Sequence, residues 1–486
     1  MNSIKKNYIY NVIYEILLII IPLITSPYIS RVLGAEQVGI YSYCYSVVSY
    51  FMLFARLGIV NHGSRSIASA LNENERNKIF SNTLAVQGCL SVLVIISYIM
   101  YLNFFNMQNY TISALMITYL IATAFDINWF FFGIEQFKVT VSRNIIIKIM
   151  STILLFVFVK ERADLWKYVL ILGFAQLGGQ LVVWPYLRDK VKLVKPNIEN
   201  MLEQLLPMFI LFIPQIAVSL YKMMDKIMLG WFCVKEQLGY YEYATTIVNL
   251  PLGFITSLGT VMLPRISAMM KTGENKKTLV YTRYSIIFAI SLSTAFTFGI
   301  SAIAPTFVPF YFGQEFEPTV KLLIGLSSTL IFISWANVIR TQFLIPAKKD
   351  KEYIISLFTG AFANVIINFI FIPRFLAWGA VIGTIVAEVT VCVMQTLMSK
   401  KYIPIWKYIK ECFPFILIGS VMFIVVRFVS YIHFPIIISL ILQIVVGVII
   451  YLGLVSIYAF IVWKVSIITF IRSIKEKNKK FLIHIN

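Results

Sequence analysis

Three histidines (His62, His433, His484) and five scattered cysteines, none in a CxxC spacing, leave little from which to assemble a metal or redox centre. Charge is scarce as well. Asp, Glu, Lys and Arg together make 13% of the 486 residues, about half the share usual in a soluble domain. That scarcity excludes an ordinary soluble enzyme and a disordered chain. No GxxxxGK[ST] loop occurs, and no segment between apolar runs exceeds about 23 residues, so neither a nucleotide-binding motif nor room for its domain is present. ATP-driven pumping by this chain is thereby excluded. An enzyme acting on lipid-linked sugars would need carboxylates or histidines gathered at one membrane face, or a soluble donor-binding domain. The sequence offers neither, so no enzyme, cofactor or metal is expected.

Apolar sequence is plentiful. Hydrophobic residues make 59% of the chain and mean hydropathy is +0.82, which reads as an all-α polytopic membrane protein. Runs of about 20 residues are needed to cross a bilayer as helix. Fourteen are found, at 9–30, 39–60, 80–102, 111–133, 144–160, 165–187, 207–230, 238–263, 284–304, 319–342, 353–373, 377–399, 411–431 and 435–463. The first is too long and too proline-bearing (Pro22, Pro27) for a cleaved signal peptide.

The net charge of +20 would suggest nucleic acid in a soluble protein, but here it sits in the connections. With both termini on one side, and charges at frayed span ends counted with the adjoining loop (Arg143 and Lys148 with 134–148, for example), the segments on that side hold 30 Lys/Arg and those opposite hold six, the other six lying within spans. Such a bias predicts cytoplasmic N- and C-termini and gives no role to nucleic acid. The loop 305–318, with Glu315 and Glu317 and no Lys or Arg, is expected outside.

An internal repeat organises the spans. Glu36-Gln37-Val38-Gly39-Ile40-Tyr41-Ser42-Tyr43 aligns with Glu236-Gln237-Leu238-Gly239-Tyr240-Tyr241-Glu242-Tyr243 at an offset of 200, matching at five of eight positions. Each copy opens the second span of a half, and the same offset pairs Arg65 with Arg265. A repeat spaced by six spans keeps its orientation, which gives a parallel repeat with a site between halves, a plan common in secondary transporters. The expected organisation is an N-terminal six-helix lobe at 1–187, a basic cytoplasmic linker at 188–206, a parallel six-helix lobe at 207–400, and two further helices with a basic tail at 401–486.

Ionised groups in hydrocarbon are costly and should face protein or a wet cavity. Away from the frayed span ends these are Glu15, Arg56, Asp126, Lys222, Asp225, Lys226, Lys321, Arg340, Glu388 and Arg427, and the excess of basic over acidic groups favours an anionic substrate. Lys222 and Lys226 share a helical face beside Asp225; they read as an ion pair with it or as a cationic ladder for phosphate. Arg31 and Arg56, near span ends, read as interfacial or snorkelling groups or as cavity cations, and Arg340 likewise. Lys321 and Arg427 read as snorkelling or structural. Glu15, Asp126, Asp225 and Glu388 read as ion-coupling carboxylates or as helix–helix hydrogen-bonding groups. Arg65 and Arg265 read as a positively charged inward gate or as topology signals.

Taken in order, RVLGAEQVGIYSY (31–43), DINWFFFGIEQFK (126–138), YKMMDKIMLG (221–230) with EQLGYYEYA, LPRIS (263–267), FGQEF (312–316), FLIPAKKDKEY (343–353), GAFANVIINFIFIP (360–373) and GAVIGTIVAE (379–388) resemble a known family. It is that of the polysaccharide repeat-unit flippases of O-antigen and capsule assembly, in the multidrug/oligosaccharidyl-lipid/polysaccharide exporter superfamily. The resemblance implies two helical lobes around a basic cavity. It implies an undecaprenyl-diphosphate-linked oligosaccharide as substrate, moved from inner to outer leaflet of the bacterial cytoplasmic membrane. Helices 1, 2, 7 and 8 line the cavity in that family, which points to Arg31, Arg56, Lys222 and Lys226. A polysaccharide polymerase and a chain-length regulator are the implied partners. A peptidoglycan-precursor flippase and a cation-coupled multidrug antiporter of the same fold are the alternatives, the second disfavoured by the basic interior.

Overall fold

The computed structural model describes residues 2–105, 109–432 and 434–463, with side chains from Ile20 onward except at 137–139, 221–222, 275 and 463. Among the described residues there is no strand. The chain runs through α1 (Asn2–Arg56), α2 (Ile59–Ser69), α3 (Glu73–Phe105), α4 (Tyr110–Leu115), α5 (Ile117–Ala124), α6 (Asn128–Gly133), α7 (Phe137–Phe158), α8 (Leu165–Leu181) and α9 (Ile198–Phe232). It continues with α10 (Lys235–Lys271), α11 (Asn275–Phe312), α12 (Thr319–Ser327), α13 (Thr329–Ile339), α14 (Asp350–Phe375), α15 (Ala377–Ser399), α16 (Ile405–Val429) and α17 (Ile436–Trp463). Thirteen described stretches are long and apolar enough to cross a membrane. The first, Ile20–Ser69, holds two passes, because Gly34 (φ 75°, ψ 173°) breaks α1 where no side chain is tolerated without strain. The expected fourteen spans are therefore present, and the protein is an all-α, multi-pass membrane protein.

Two connections are shorter than the hydropathy suggests. Spans one and two are joined through the single residue Gly34 rather than through a loop over 31–38. The segment 305–318 is mostly helix: α11 carries Pro305 and Pro309 and ends only at Phe312, leaving a short 3₁₀ turn at Gln314–Phe316. Membrane helices accommodate proline when neighbours satisfy the freed carbonyls, so apolar periodicity outlasts the breaker signal.

The chain forms two compact units: Met1–Tyr243 with Leu357–Gly383, and Ala244–Ser356 with Thr384–Asn486. The core of the first gathers Ile59, Phe80, Trp129, Phe130, Phe131 and Met208. Small residues let its elements close up: a Cβ at Gly63 would lie 2.7 Å from the Trp129 ring, and one at Gly133 would lie 2.7 Å from Ile67. Gly58 (φ 72°) starts α2 in a left-handed conformation against the Met208 carbonyl, turning the chain out of α1. The core of the second unit gathers Ile255, Ile286, Val338, Phe343, Tyr408 and Phe415. Large apolar side chains cover much of the outside, Phe104, Phe105 and Trp406 each at least 75% exposed. Water would penalise such a surface; acyl chains match it.

Candidate functional site

The two copies of the repeat meet. A Cβ on Gly39 would strike the Lys235 carbonyl and approach the Gly239 nitrogen at 3.2 Å, and one on Gly239 would strike the Ala35 carbonyl. Backbone therefore crosses backbone at the glycine of each motif, which only a residue without Cβ permits. Three positions further on, Ser42 donates a hydrogen bond to the Glu242 carboxylate, its own counterpart at the offset of 200. Glu242 also receives Lys226 Nζ of α9 at 2.7 Å, with side chains 25% and 22% exposed. Tyr43 closes the group: a Cβ on Gly230 would collide with its ring, its hydroxyl accepts from Trp231 Nε1 at 3.1 Å, and Lys235 Nζ lies 4.1 Å from its ring centre.

One residue before Lys226, buried Asp225 takes a hydrogen bond from the Tyr241 hydroxyl at 2.7 Å and one from Asn368 Nδ2 at 2.5 Å. Asn368 also donates to Asn364 Oδ1 at 3.1 Å. Tyr241 comes from the repeat motif and Asn364 and Asn368 from the GAFANVIINFIFIP stretch, so one carboxylate and two amides from α9 and α14 converge. Lys226 and Asp225, adjacent in sequence, point to different partners: the described ion pair of Lys226 is with Glu242.

Arg56, which has no acid within four residues in sequence, is given one by the fold. Its NH2 lies 3.4 Å from Asp126 Oδ2. Asp126 Oδ1 accepts from the backbone and side-chain nitrogens of Asn128 at 3.1 and 2.7 Å, holding the DINW turn that opens α6. Asn128 in turn donates to Gln180 Oε1 at 3.1 Å, and Arg143 NH1 reaches the same oxygen at 3.3 Å. A chain of polar contacts thus links Arg56 to Arg143 across four helices.

Arg31 and Arg65 are exposed in the first unit. In the second unit, Arg265 is exposed, with its guanidinium 4.4 Å from the Tyr281 ring centre and hydrogen-bonded to that hydroxyl. Arg340 donates to Asn337 Oδ1 at 2.5 Å and starts a π-helical turn, Arg340–Leu344, that follows α13; such turns recur at functional sites. Glu388 is buried in α15 and makes no hydrogen bond or ion pair among the described residues. The side chains of Glu15 and Lys222 lie outside the described set.

Sequence reasoning missed three groups. Glu242 was available as a carboxylate inside the eighth span, at the mismatched position of the repeat. Arg143 and Lys148 counted as loop charges, yet Arg143 is buried and both line a cavity in the first unit. Their signal was the spacing of Asn144, Lys148 and Ser151, one face of α7. Arg283 and Glu411 pair at 2.8 Å, tying α11 to α16, and nothing local in the sequence announces that pair.

The comparisons agree with this architecture. A proposed O-antigen transporter of Shigella dysenteriae is 23% identical over 376 residues, covering 76% of this chain and 93% of the relative. Another of Escherichia coli (strain K12) is 25% identical over 407 residues, covering 82% and 96%. Among solved structures, lipid II flippase MurJ in an inward closed conformation superimposes with a TM-score of 0.77 at 15% identity, covering 93% of this chain and 98% of that one; this likeness establishes the fold. Residues 4–270, which hold the first repeat motif, the DINW turn, Lys226 and the crossing at Gly39 and Gly239, match the model of the family described as polysaccharide biosynthesis protein, and the chain belongs to that family.

Proposed function

We propose that this protein is a flippase that moves an undecaprenyl-diphosphate-linked oligosaccharide from the inner to the outer leaflet of the bacterial cytoplasmic membrane. The product serves O-antigen, capsule or exopolysaccharide assembly. The observation that carries this reading is the crossing of the repeat motifs at Gly39 and Gly239 beneath Ser42, Glu242 and Lys226. Helices that cross at glycine and are joined by a small polar bridge and the Lys235–Tyr43 contact can separate at modest cost, as alternating access requires. By the charge bias of the connections this crossing lies toward the outside, with both termini in the cytoplasm. It is the closed outer gate in this reading, and Lys226 is released to the substrate when the bridge opens.

The substrate class follows from charge. A diphosphate head carries about two negative charges, and Arg31, Arg56, Lys222, Lys226 and Arg340 are the cations proposed to receive it. An inside-negative potential contributes about 2.3 kcal/mol per charge per 100 mV, so expelling the anionic head outward is favoured. Asp225 with Tyr241, Asn364 and Asn368 is the proposed ion-coupling group, with Glu388, Asp126 and Glu15 as further carboxylates in that role. Arg65 and Arg265 are proposed to attract the head group at the inner entrance. A polymerase and a chain-length regulator are the expected partners.

The test is flipping of a labelled undecaprenyl-diphosphate-linked glycan in vesicles reconstituted with the full chain. Transport of the glycan, dependent on voltage and indifferent to cationic drugs, supports the reading. Efflux of cationic drugs without glycan transport would replace it with an antiporter.

A further inference from the structure

The turn between α15 and α16 and the start of α16 read Lys400-Lys401-Tyr402-Ile403-Pro404-Ile405-Trp406-Lys407, with Lys410 one step further along the helix. This segment is held firmly. Ile403, Ile405 and Tyr408 are each at most 5% exposed and pack into the core of the second unit. The Tyr408 hydroxyl donates to the Leu279 carbonyl of α11 at 3.0 Å. Ile405, Tyr408, Cys412 and Phe415 turn inward at helical spacing, so the residues between them are fixed on the outside.

The outward face is both apolar and basic. Trp406, Lys410, Phe413 and Leu417 follow at steps of four, three and four residues, which sets them in one row along α16. Trp406 is 78% exposed, and Phe413 and Leu417 are each 54% exposed. Phe413 and Leu417 suit acyl chains, while a tryptophan at the helix start marks the level where tail meets headgroup. Lys410 lies one turn deeper, but a helical side chain leans toward the N-terminus of its helix, and this one is long enough to bring its ammonium back to that level. Lys407 lies beside Trp406, and Lys400 and Lys401 lie in the turn; all four lysines are exposed.

These four charges have no protein counter-ion. None of them makes a hydrogen bond or ion pair among the described residues. Glu411 stands four residues from Lys407, the spacing of a helical ion pair, yet its carboxylate turns inward to Arg283 at 2.8 Å. Lys349, whose ammonium lies 4.5 Å from the Tyr402 ring centre, holds Glu352 at 3.1 Å. Both carboxylates are thus occupied, and Asp350 sits between Lys349 and Lys351. A topology signal needs only charge on one side of the membrane, in any arrangement. Here the charge is unpaired, fixed on a rigid turn and set at the head of a lipid-facing row. A free anion would use the lysines alone, whereas a phospholipid uses both the lysines and the row.

We propose that this face of the second unit binds an anionic phospholipid, its phosphate among Lys400, Lys401, Lys407 and Lys410 and its acyl chains along Phe413 and Leu417. By the charge bias of the connections, the lipid belongs to the cytoplasmic leaflet. The inference stands apart from what the protein transports. The test is fluorescence quenching by dibrominated phosphatidylcholine in bilayers reconstituted with the full chain. Subtracting the signal of Trp406→Phe from that of wild type isolates Trp406 among the eight tryptophans. Phosphatidylglycerol should displace the quencher from Trp406 at least about fivefold better than unlabelled phosphatidylcholine at low salt, and the preference should shrink as salt rises. Lys407→Gln with Lys410→Gln should bring the preference to within about twofold of unity at unchanged melting temperature. If that variant does not fold, Lys400→Gln with Lys401→Gln should weaken the preference, and the salt dependence of wild type is a test on its own. Inorganic phosphate replacing chloride at equal ionic strength should leave the preference intact. Equal displacement by the two lipids, a preference indifferent to salt or to the lysine variants, or its loss to inorganic phosphate would each overturn the lipid site.

Discussion

Gly39 and Gly239, two hundred positions apart, occupy the same place in the two copies of one motif and pack backbone to backbone against each other. The internal repeat is therefore a contact as well as a symmetry. A side chain at either position has no room, because the nearest obstacles are the carbonyls of Lys235 and Ala35 rather than movable side-chain ends. Overpacking of this kind costs about 1–3 kcal/mol. Gly39→Val and Gly239→Val should each lower the melting temperature of the detergent-solubilised protein and favour separation of the crossing. Wild-type stability and unchanged transport in both variants would remove the crossing from the gating account.

The bridge above that crossing makes a sharper prediction. In a cysteine-free background, Ser42→Cys with Glu242→Cys should be linked by a short bifunctional thiol reagent, since their side chains touch in the native protein. Linking should arrest flipping in vesicles, and cleaving the linker should restore it. Flipping that continues at full rate through the linked protein would show that this contact need not open.

Lys226 and Glu242 form a half-buried ion pair, and removing one partner of a buried pair leaves the other charge uncompensated, at about 3–5 kcal/mol when burial is complete. With both side chains about a quarter exposed, the cost should fall below that. Glu242→Gln should destabilise the protein modestly and slow flipping, because Lys226 loses the partner that positions it. If Lys226 serves only that pair, Lys226→Met with Glu242→Gln should recover transport. If it also receives the diphosphate, the double variant should fold as wild type and remain inactive, and this second outcome is expected. Lys226→Arg should keep partial activity, because charge survives while ammonium geometry does not.

Much of this was legible in the sequence, and the failures have a common cause. Apolar run length gave fourteen crossings, because that signal is local, and the repeat aligned Gly39 with Gly239, whose contact only the fold reveals. Hydropathy placed Pro305 in a loop, because a window cannot see the neighbouring helices that let α11 continue past it. The partners of the buried charges were hidden for the same reason. Asp126 lies 70 positions from Arg56, and Glu242 lies a helix away from Lys226. Counting Arg143 and Lys148 as loop charges ignored that α7 begins at Phe137 and carries them inward on one face.

Glu388 offers a test of ion coupling that is separate from the bridge. It is buried in a membrane-spanning helix with no hydrogen-bonding or ionic partner among the described residues, and an ionised carboxylate so placed is costly. The neutral isostere Glu388→Gln should therefore preserve folding, measured as the melting temperature. If Glu388 carries a proton during transport, flipping should slow and lose its response to a pH gradient, and that is the expected result. Full activity with an intact pH response would assign coupling elsewhere, Asp225 being the next candidate.

The paired arginines make the final prediction, and the structure distinguishes them. Arg265 is held over Tyr281, with its guanidinium 4.4 Å from the ring centre and bonded to the hydroxyl; Arg65 is exposed on the short helix α2. Planar guanidinium stacks on an aromatic face where ammonium does not reproduce the geometry. Arg265→Lys should therefore slow flipping while Arg65→Lys should not, although charge is conserved at both. Exposed charges are each worth up to about 1 kcal/mol and are screened by salt, so Arg65→Ala should slow flipping at most about fivefold at low ionic strength and less as salt rises. If both residues attract one diphosphate, the double Ala variant should lose more than the product of the single effects, and salt should reduce that excess. Strictly multiplicative effects, or equal tolerance of lysine at both sites, would reduce Arg65 and Arg265 to determinants of topology.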